Sequence, residues 1–475
     1  MHDVVSNPIK DRLQRDLHRQ RRAFLEQGPL SAERRAQALD ALAGAVLRHG
    51  EDFAAAVAAD FGHRSAHETG LADLYPVVAG LRHARRNLRR WMKPRRRPIR
   101  TMFRPGSGRI VYQALGVVGI VSPWNYPVQL TLWPLAGAIA AGNRAMIKPS
   151  ELTPRTSALL EQVIGEVFDP GEVLVAGGGA EVAKAFCELD FDHLLFTGST
   201  AVGRQVMRAA AENLVPVTLE LGGKSPALVA PNYPLEKAAE RIAVGKLFSA
   251  GQTCIAPDYV MVPRGQEEAF AEAFRDAVAR LYPSLAANPD YTAIINERHY
   301  GRLRDLVADA RARGAAVHEI NPAGEALEAS ARKMAPVVLT GVPEDALAMR
   351  EEIFGPVLPV LPYEDLEAAY GFINARPRPL ALYLFSQERE VVDRTLERTV
   401  SGGVCVNDTL LHCVQEELPF GGVGASGMGA YHGEQGFRTF SHAKAVFHQA
   451  RLNGAGMTKP PYGSRMNRLL ALLLR

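Results

Sequence analysis

The chain is poor in cysteine, poor in aromatic residues and nearly balanced in charge, and no long apolar run interrupts it. Four cysteines, Cys187, Cys254, Cys405 and Cys413, stand in 475 residues. That is too few for a disulfide framework, and no C-x-x-C pair suggests zinc. A reducing, cytoplasmic setting without a bound metal is expected. No stretch approaches the ~20 consecutive apolar residues of a membrane-spanning helix. The N-terminus, MHDVVSNPIKDRLQRDLHRQRR, lacks the apolar centre of a secretory signal. Fifty-five basic residues against 51 acidic ones leave a net charge of +4, too little to imply a polyanionic partner. One local absence stands out. From Arg82 to Arg100 there are nine arginines and Lys93 but no acid. A nucleic-acid or anionic-membrane patch fits such a run. So does a solvated helix face followed by the connector Pro94 to Pro98. Only Trp91 interleaves the cations, so no nucleic-acid partner is expected.

What is present is the composition of a globular chain, with 47% apolar residues and length for two or three domains. Residues 9–60 read as helical. SAERRAQALDALAGAVLRHGEDFAAAVAADFG offers Ser31 as an N-cap, Leu and Ala at helical spacing, and Gly62 as a stop. From GRIVYQALGVVGIVSP onward, short β-branched runs alternate with Ala-rich helices, the signature of βαβ units and a mostly parallel sheet. The fold class is α/β. SRMNRLLALLLR, at the end, reads as a basic amphipathic helix that packs on protein or touches a membrane surface.

Two stretches compete for a dinucleotide. GVGASG, Gly422 to Gly427, satisfies G-x-G-x-x-G, yet it follows no clear strand and no nucleotide-binding half comes after it. LLFTGSTAVGRQVMRAAA breaks the fingerprint, with Thr200 where the middle glycine belongs. Even so, it runs strand, turn, helix from Leu194 through Gly198, Ser199 and Gly203. That context presents a helix N-terminus to phosphate, or equally an ordinary capped helix. Cys254, after Gly251 in FSAGQTC, is a thiol on a tight turn: a nucleophile if its pKa is lowered, a small core residue otherwise. Glu220 in TLELGGKSP is a base in waiting or a satisfied cap. Asn125 in IVSPWNYP offers an amide to an oxyanion or makes an Asx turn. Lys148 in MIKPSE is a fixed cation at a strand end or a plain surface lysine.

The order SPWNYP, KPSE, FTGSTAVG, LELGGKSP, FSAGQTC, EEIFGP, PFGGVGASGMG closely resembles the aldehyde dehydrogenase superfamily from about Gly108 to Lys444. GSTAVG, KPSELTP, VNDTLLH and GMGAYHG resemble its class 3 branch, and GMGAYHGEQGFRTFSHAKAV with WMKPRRRP is similar to bacterial coniferyl aldehyde dehydrogenases. The resemblance implies a Rossmann-like cofactor domain (1–90 and 117–219), an α/β catalytic domain (220–417) and bridging or oligomerisation segments (91–116 and 418–450) that form a small flap. A basic tail, 451–475, follows.

The resemblance also implies oxidation of an aldehyde to a carboxylate. Cys254 would be the nucleophile, Asn125 the oxyanion donor and Glu220 the base that activates water. Lys148 and Glu151 would meet the adenosine ribose. Gly198, Ser199, Thr200 and Gly203 would meet the pyrophosphate, and Glu352 and Phe354 the nicotinamide end. Glu151 favours NAD over NADP, since an acid there binds a 2′-hydroxyl and repels a 2′-phosphate; NADP use is not excluded. Tyr126, Trp133, Leu410, His412 and Phe420 are candidate pocket residues for a planar phenylpropenal or, equally, a medium-chain aliphatic aldehyde. A homodimer is expected. The alternatives are a CoA-acylating relative, which typically lacks the Glu base, a thiol esterase and a non-catalytic homologue.

Overall fold

Three sheets and their covering helices organise residues 7–453 and 459–474, which this computed structural model describes. Residues 1–6 of the N-terminal stretch, and 454–458 and 475 of the expected tail, lie outside the described residues. The first sheet has six strands in the order Gly427–Met428, Val217–Leu221, His193–Gly198, Val117–Val121, Arg144–Lys148, Val173–Val175. All neighbours are parallel except the two-residue strand Gly427–Met428. Chain order runs outward in both directions from Val117–Val121, the doubly wound arrangement that opens a crevice at the carboxyl ends where the order reverses. That point lies between Val117–Val121 and His193–Gly198. Val117–Val121 is buried throughout, as parallel strands with helices on both faces must be.

The second sheet has seven strands: Ala316–Glu319, Val337–Thr340, Val357–Tyr363, Tyr259–Pro263, Pro226–Val229, Ala381–Phe385, Gly403–Val406. Only Ala316–Glu319 is antiparallel to its neighbour. The third sheet is an antiparallel flap of Arg95–Arg97, Ser107–Ala114 and Ser441–His448. Residues 418–440 do not join it. They carry the strand Gly427–Met428 and the helix Gly433–Thr439, which packs on the helix Gln129–Ala141.

The expected N-terminal helix after Ser31 is two helices, Ala32–Arg48 and Gly50–Phe61. The chain breaks at His49, whose imidazole sits between Asp52 (2.9 Å) and Glu166 (3.1 Å) instead of continuing the spiral. The basic run falls on the helix Tyr75–Met92 and the flap. Ion pairs tie Arg85 to Asp40 and Arg89 to Glu33. The helix Ser464–Leu473 buries no residue. Among the described residues no helix is long and apolar enough to cross a membrane, and no cluster of side chains could hold a metal ion.

Candidate active site

The two large sheets meet at opposite ends. The carboxyl edge of the six-stranded sheet faces the loops that precede parallel strands of the seven-stranded one, and a cleft of about 1100 Å³ lies between them. From the first sheet come Pro123, Trp124 and Asn125 after Val117–Val121, Gly198 to Ala201 after His193–Gly198, and Glu220 at the end of Val217–Leu221. From the second come Gly222 to Lys224 before Pro226–Val229, Cys254 before Tyr259–Pro263, and Glu352 with Phe354 before Val357–Tyr363. Cys254, Glu220 and Asn125, far apart in the chain, therefore line one cleft.

Each is held by local backbone chemistry. Cys254 follows three residues with left-handed backbone, Ser249 (φ 53°), Ala250 (φ 50°) and Gly251 (φ 76°). Non-glycine residues rarely adopt that region, and Gly251 has no choice: a Cβ there would lie 2.4 Å from the Gly355 carbonyl. Burial, with Glu352 nearby, pushes the Cys254 thiol well above its ordinary range. It is a neutral thiol in this state. Asn125 is 3% exposed, and its Nδ2 donates to the Gln252 carbonyl at 3.1 Å. One amide hydrogen is so used and the second remains free. Glu220 is also 3% exposed, neither carboxylate oxygen meets a hydrogen-bond partner, and burial raises its pKa well above the carboxylate range. Glu352 is raised to about 8 by burial and by Asp258. Lys224 bonds the Ala348 carbonyl (2.7 Å), the Glu351 carbonyl (3.0 Å) and Asp258. Asp258 accepts from the Ile353 N–H at 2.9 Å, so the turn that presents Glu352 is tied down on both sides.

The broken fingerprint opens onto this cleft. Ser199 caps the helix Thr200–Ala211 by accepting from Val202 N–H at 3.4 Å, which leaves the helix N-terminus facing the crevice. Thr200 donates to the Ala425 carbonyl at 3.2 Å. Gly203 points away from the cleft; a Cβ there would strike Leu221, so it lets the helix lie close on the strand. The literal motif at Gly422 is a loop that braces the catalytic side. Gly427 pairs with Glu220, the Leu221 N–H reaches the Ser426 carbonyl at 3.0 Å, and Ala425 lines the cleft. Lys148, 1% exposed, ends the next strand of the sheet, 3.6 Å from Glu151. Burial lowers its pKa. Neither residue lines the main cleft.

The five expected pocket residues lie elsewhere than that cleft. Tyr126 is buried with its hydroxyl 2.6 Å from Thr253 Oγ1, beside the nucleophile turn. Trp133 stacks on His432, ring centroids 3.7 Å apart and planes at 5°, and Phe420 stacks on the same imidazole with centroids 5.3 Å apart and planes at 14°. His412 lies 6.4 Å from Phe420. Burial lowers His412 to about 4 and His432 to about 3, so both rings are neutral, and their nitrogens have no partner. Leu410 packs against the main core with φ 63°. Sequence reasoning passed over His432, and also the ring cluster of Trp124 with Phe354 (5.4 Å) and His299 (5.2 Å) at the cleft wall. The GMGAYHG motif carries a resemblance but gives its histidine no chemistry, because its stacking partner Trp133 lies about 300 residues away.

A sequence model described as the aldehyde dehydrogenase family matches residues 10–446. The coniferyl aldehyde dehydrogenase of Pseudomonas sp. (strain HR199) is 48% identical over 460 residues, 96% of this chain and 95% of that protein. A substrate-bound structure of Staphylococcus aureus AldH superposes with a TM-score of 0.91 at 37% identity, covering 97% of this chain and 99% of that one. The NAD+ complex of an aldehyde dehydrogenase from Bacillus cereus gives 0.84 at 26% identity, covering 93% and 89%.

Proposed function

The chain belongs to the aldehyde dehydrogenase family, in its class 3-like branch, and from that premise we propose that it oxidises a phenylpropenal of the coniferyl type to its acid with NAD. The observation that carries the chemistry is the convergence of Cys254, Glu220 and Asn125 on one cleft at the point where strand order reverses. Support for the substrate is the likeness to coniferyl aldehyde dehydrogenases.

The cleft has the features a dinucleotide needs. A capped helix N-terminus opens onto it, and Thr197 Oγ1 and Glu352 Oε1 are buried there without partners. In this reading the Gly198-to-Gly203 turn with Ser199 and Thr200 holds the pyrophosphate, Lys148 and Glu151 the adenosine ribose, and Glu352 and Phe354 the nicotinamide end. The bound nicotinamide supplies a hydride acceptor and nothing else. Cys254 first gives its thiol proton to solvent water, and its Sγ, as the thiolate, then attacks the aldehyde carbon and forms a thiohemiacetal. Its oxyanion is met by the free Asn125 amide hydrogen and the Cys254 backbone N–H. Loss of hydride leaves a thioester on Cys254. Glu220, as carboxylate, takes a proton from water, whose oxygen then attacks the thioester and releases the acid. Glu220 is the residue that makes water, not CoA, the acceptor.

A homodimer in the cytoplasm completes the proposal. The edge strand Gly403–Val406, buried or half-buried except for Val406, and the flap strand Ser441–His448, with Phe447 open to solvent, support pairing with a second copy. The four free cysteines fit a reducing compartment.

The test is NADH formation from coniferyl aldehyde, benzaldehyde and hexanal, each with NAD and with NADP. Coniferyl aldehyde with NAD is expected to give by far the highest kcat/KM. Hexanal matching it reassigns the enzyme to general aldehyde oxidation.

A further inference from the structure

The mechanism leaves unused the most deeply buried charges beside the site. The side chains of Arg64 and Asp73 have no solvent exposure, and Glu68 is buried with them. All three come from one short stretch, the helix Ala66–Thr69 and the π-helical turn Gly70–Leu74 with the residues just before them. Single π turns inside helices recur at functional sites. Burying such charges is costly unless further hydrogen bonds satisfy them. Here Arg64 Nε and Nη2 and Asp73 Oδ2 stay without hydrogen-bond partners, and the bonds that Arg64 Nη1, Asp73 Oδ1 and Glu68 Oε1 do make go to the two loops that carry the chemistry.

Arg64 Nη1 donates to the backbone carbonyl of Asn125. Its Nη2 lies 3.4 Å from Asp73 Oδ2, and its guanidinium covers the Tyr126 ring at 4.7 Å. Asp73 Oδ1 accepts from the N–H groups of Val128 (3.1 Å) and Gln129 (3.0 Å). The loop that presents the Asn125 amide is therefore held at Asn125 itself and again just after it, at Val128 and Gln129. Glu68 reaches the other loop. Its Oε1 accepts from Ser249 N–H at 2.9 Å and its Oε2 from the Thr292 hydroxyl at 2.6 Å. Ser249 is the first of the left-handed residues that lead to Cys254, so Glu68 holds the turn where its backbone is least favourable. Gln252 joins the halves. Its side chain donates to the Ser249 carbonyl at 3.0 Å, and its own carbonyl accepts from Asn125 Nδ2 at 3.1 Å.

We propose that Arg64, Asp73 and Glu68 are positioning residues that set the Asn125 amide and the Cys254 turn in register. Arg64 with Asp73 orients the oxyanion donor, and Glu68 orients the nucleophile. The proposal rests on the reading that Cys254 and Asn125 carry the reaction.

The test separates the two loops in the full-length enzyme. Two rates and one equilibrium constant are compared with wild type: the rate of the NADH burst, the rate of alkylation of Cys254 by iodoacetamide resolved by mass, and the NAD dissociation constant from tryptophan quenching. Removing both charges in Arg64→Gln/Asp73→Asn avoids a stranded partner. It is expected to slow the burst at least tenfold, with alkylation and the NAD dissociation constant within twofold of wild type. Glu68→Ala is expected to slow burst and alkylation alike, at least fivefold, and Glu68→Gln, which keeps an acceptor for Ser249 N–H, restores both. If the double variant does not fold, the Glu68 pair carries the test. A smaller effect on the burst, a parallel loss of NAD affinity, or no rescue by Glu68→Gln overturns the proposal. Oxidation that survives Cys254→Ala sinks the underlying reading instead.

Discussion

Replacing Glu220 with glutamine preserves the shape of a side chain that is 3% exposed and whose oxygens meet no hydrogen-bond partner. The variant loses no existing hydrogen bond and is expected to fold. It loses only the capacity to take a proton. A positioned general base contributes roughly 10²–10⁴ in rate, which at about 1.4 kcal/mol per tenfold is about 3–5 kcal/mol of barrier. The expected outcome is a split. In a stopped-flow experiment the first NADH per site forms at nearly the wild-type rate, and steady turnover then falls by roughly 10²–10⁴. A burst lost together with turnover would show that Glu220 acts before hydride transfer; turnover left intact would remove it from the mechanism. The pH dependence follows from the same burial. Glu220 must be ionised to act, and its pKa is raised. Wild-type turnover therefore climbs as pH rises through that raised value, while the residual rate of the variant lacks the rise. Stability moves the opposite way. A carboxyl raised in the native state contributes stability that is complete below its unfolded pKa of about 4.3, and that stability is lost as pH rises through the native value. Glu220→Gln should gain thermal stability over wild type as the buffer becomes alkaline. An equal gain at acid and alkaline pH would refute the assignment of the shift to burial.

Three further outcomes are expected. Cys254→Ala abolishes aldehyde oxidation and leaves NAD binding within twofold by fluorescence titration; residual oxidation would refute the nucleophile. Glu151→Gln removes the carboxylate beside Lys148 and raises the NADP-to-NAD ratio of kcat/KM about tenfold, about 1.4 kcal/mol of repulsion relieved; an unmoved ratio separates Glu151 from the ribose. Gly427→Ala forces a Cβ to 2.0 Å from the Leu219 carbonyl at φ 138°. It should cost at least about 1–3 kcal/mol in chemical denaturation, and unchanged stability would show that the Glu220 strand needs no brace there.

The parts of the site that were legible in the sequence sit at strand ends or glycine turns. Gly and Pro punctuation marks the turns on which Glu220, Cys254 and Asn125 sit, yet each keeps a structural alternative there, and only the resemblance of the ordered motifs gives them roles; the alternation of apolar runs with helices announced the parallel sheets. No clear strand in the sequence leads into GVGASG, which argues against a dinucleotide site there, and in the structure Gly427 of that stretch pairs with Glu220. The clamp of Arg64, Glu68 and Asp73 was invisible. In sequence it is an ordinary polar helix start, and its meaning lies in partners 61 and 181 residues away, as for Arg64 with Asn125 and Glu68 with Ser249. His432 was equally silent because its stacking on Trp133 joins residues about 300 positions apart. The break at His49 escaped the helical pattern, since a single residue separates the two amphipathic segments Ala32–Arg48 and Gly50–Phe61.

The six-stranded sheet carries a debt that falls due during synthesis. Among the described residues, the outer side of the strand Val217–Leu221 is paired only with Gly427–Met428, and the Asn143 side chain donates to the Phe440 carbonyl at 2.8 Å. At roughly 5–20 residues per second, the roughly 200 residues between Leu221 and Gly427 take about 10–40 s to emerge from the ribosome. Throughout that interval the nascent first half exposes an unpaired, largely apolar β edge, the kind of surface that invites pairing with a neighbouring polysome's product. A ribosome stalled before Gly427 should therefore display a chain that chaperones hold, and one stalled after Phe440 should display a chain that they release.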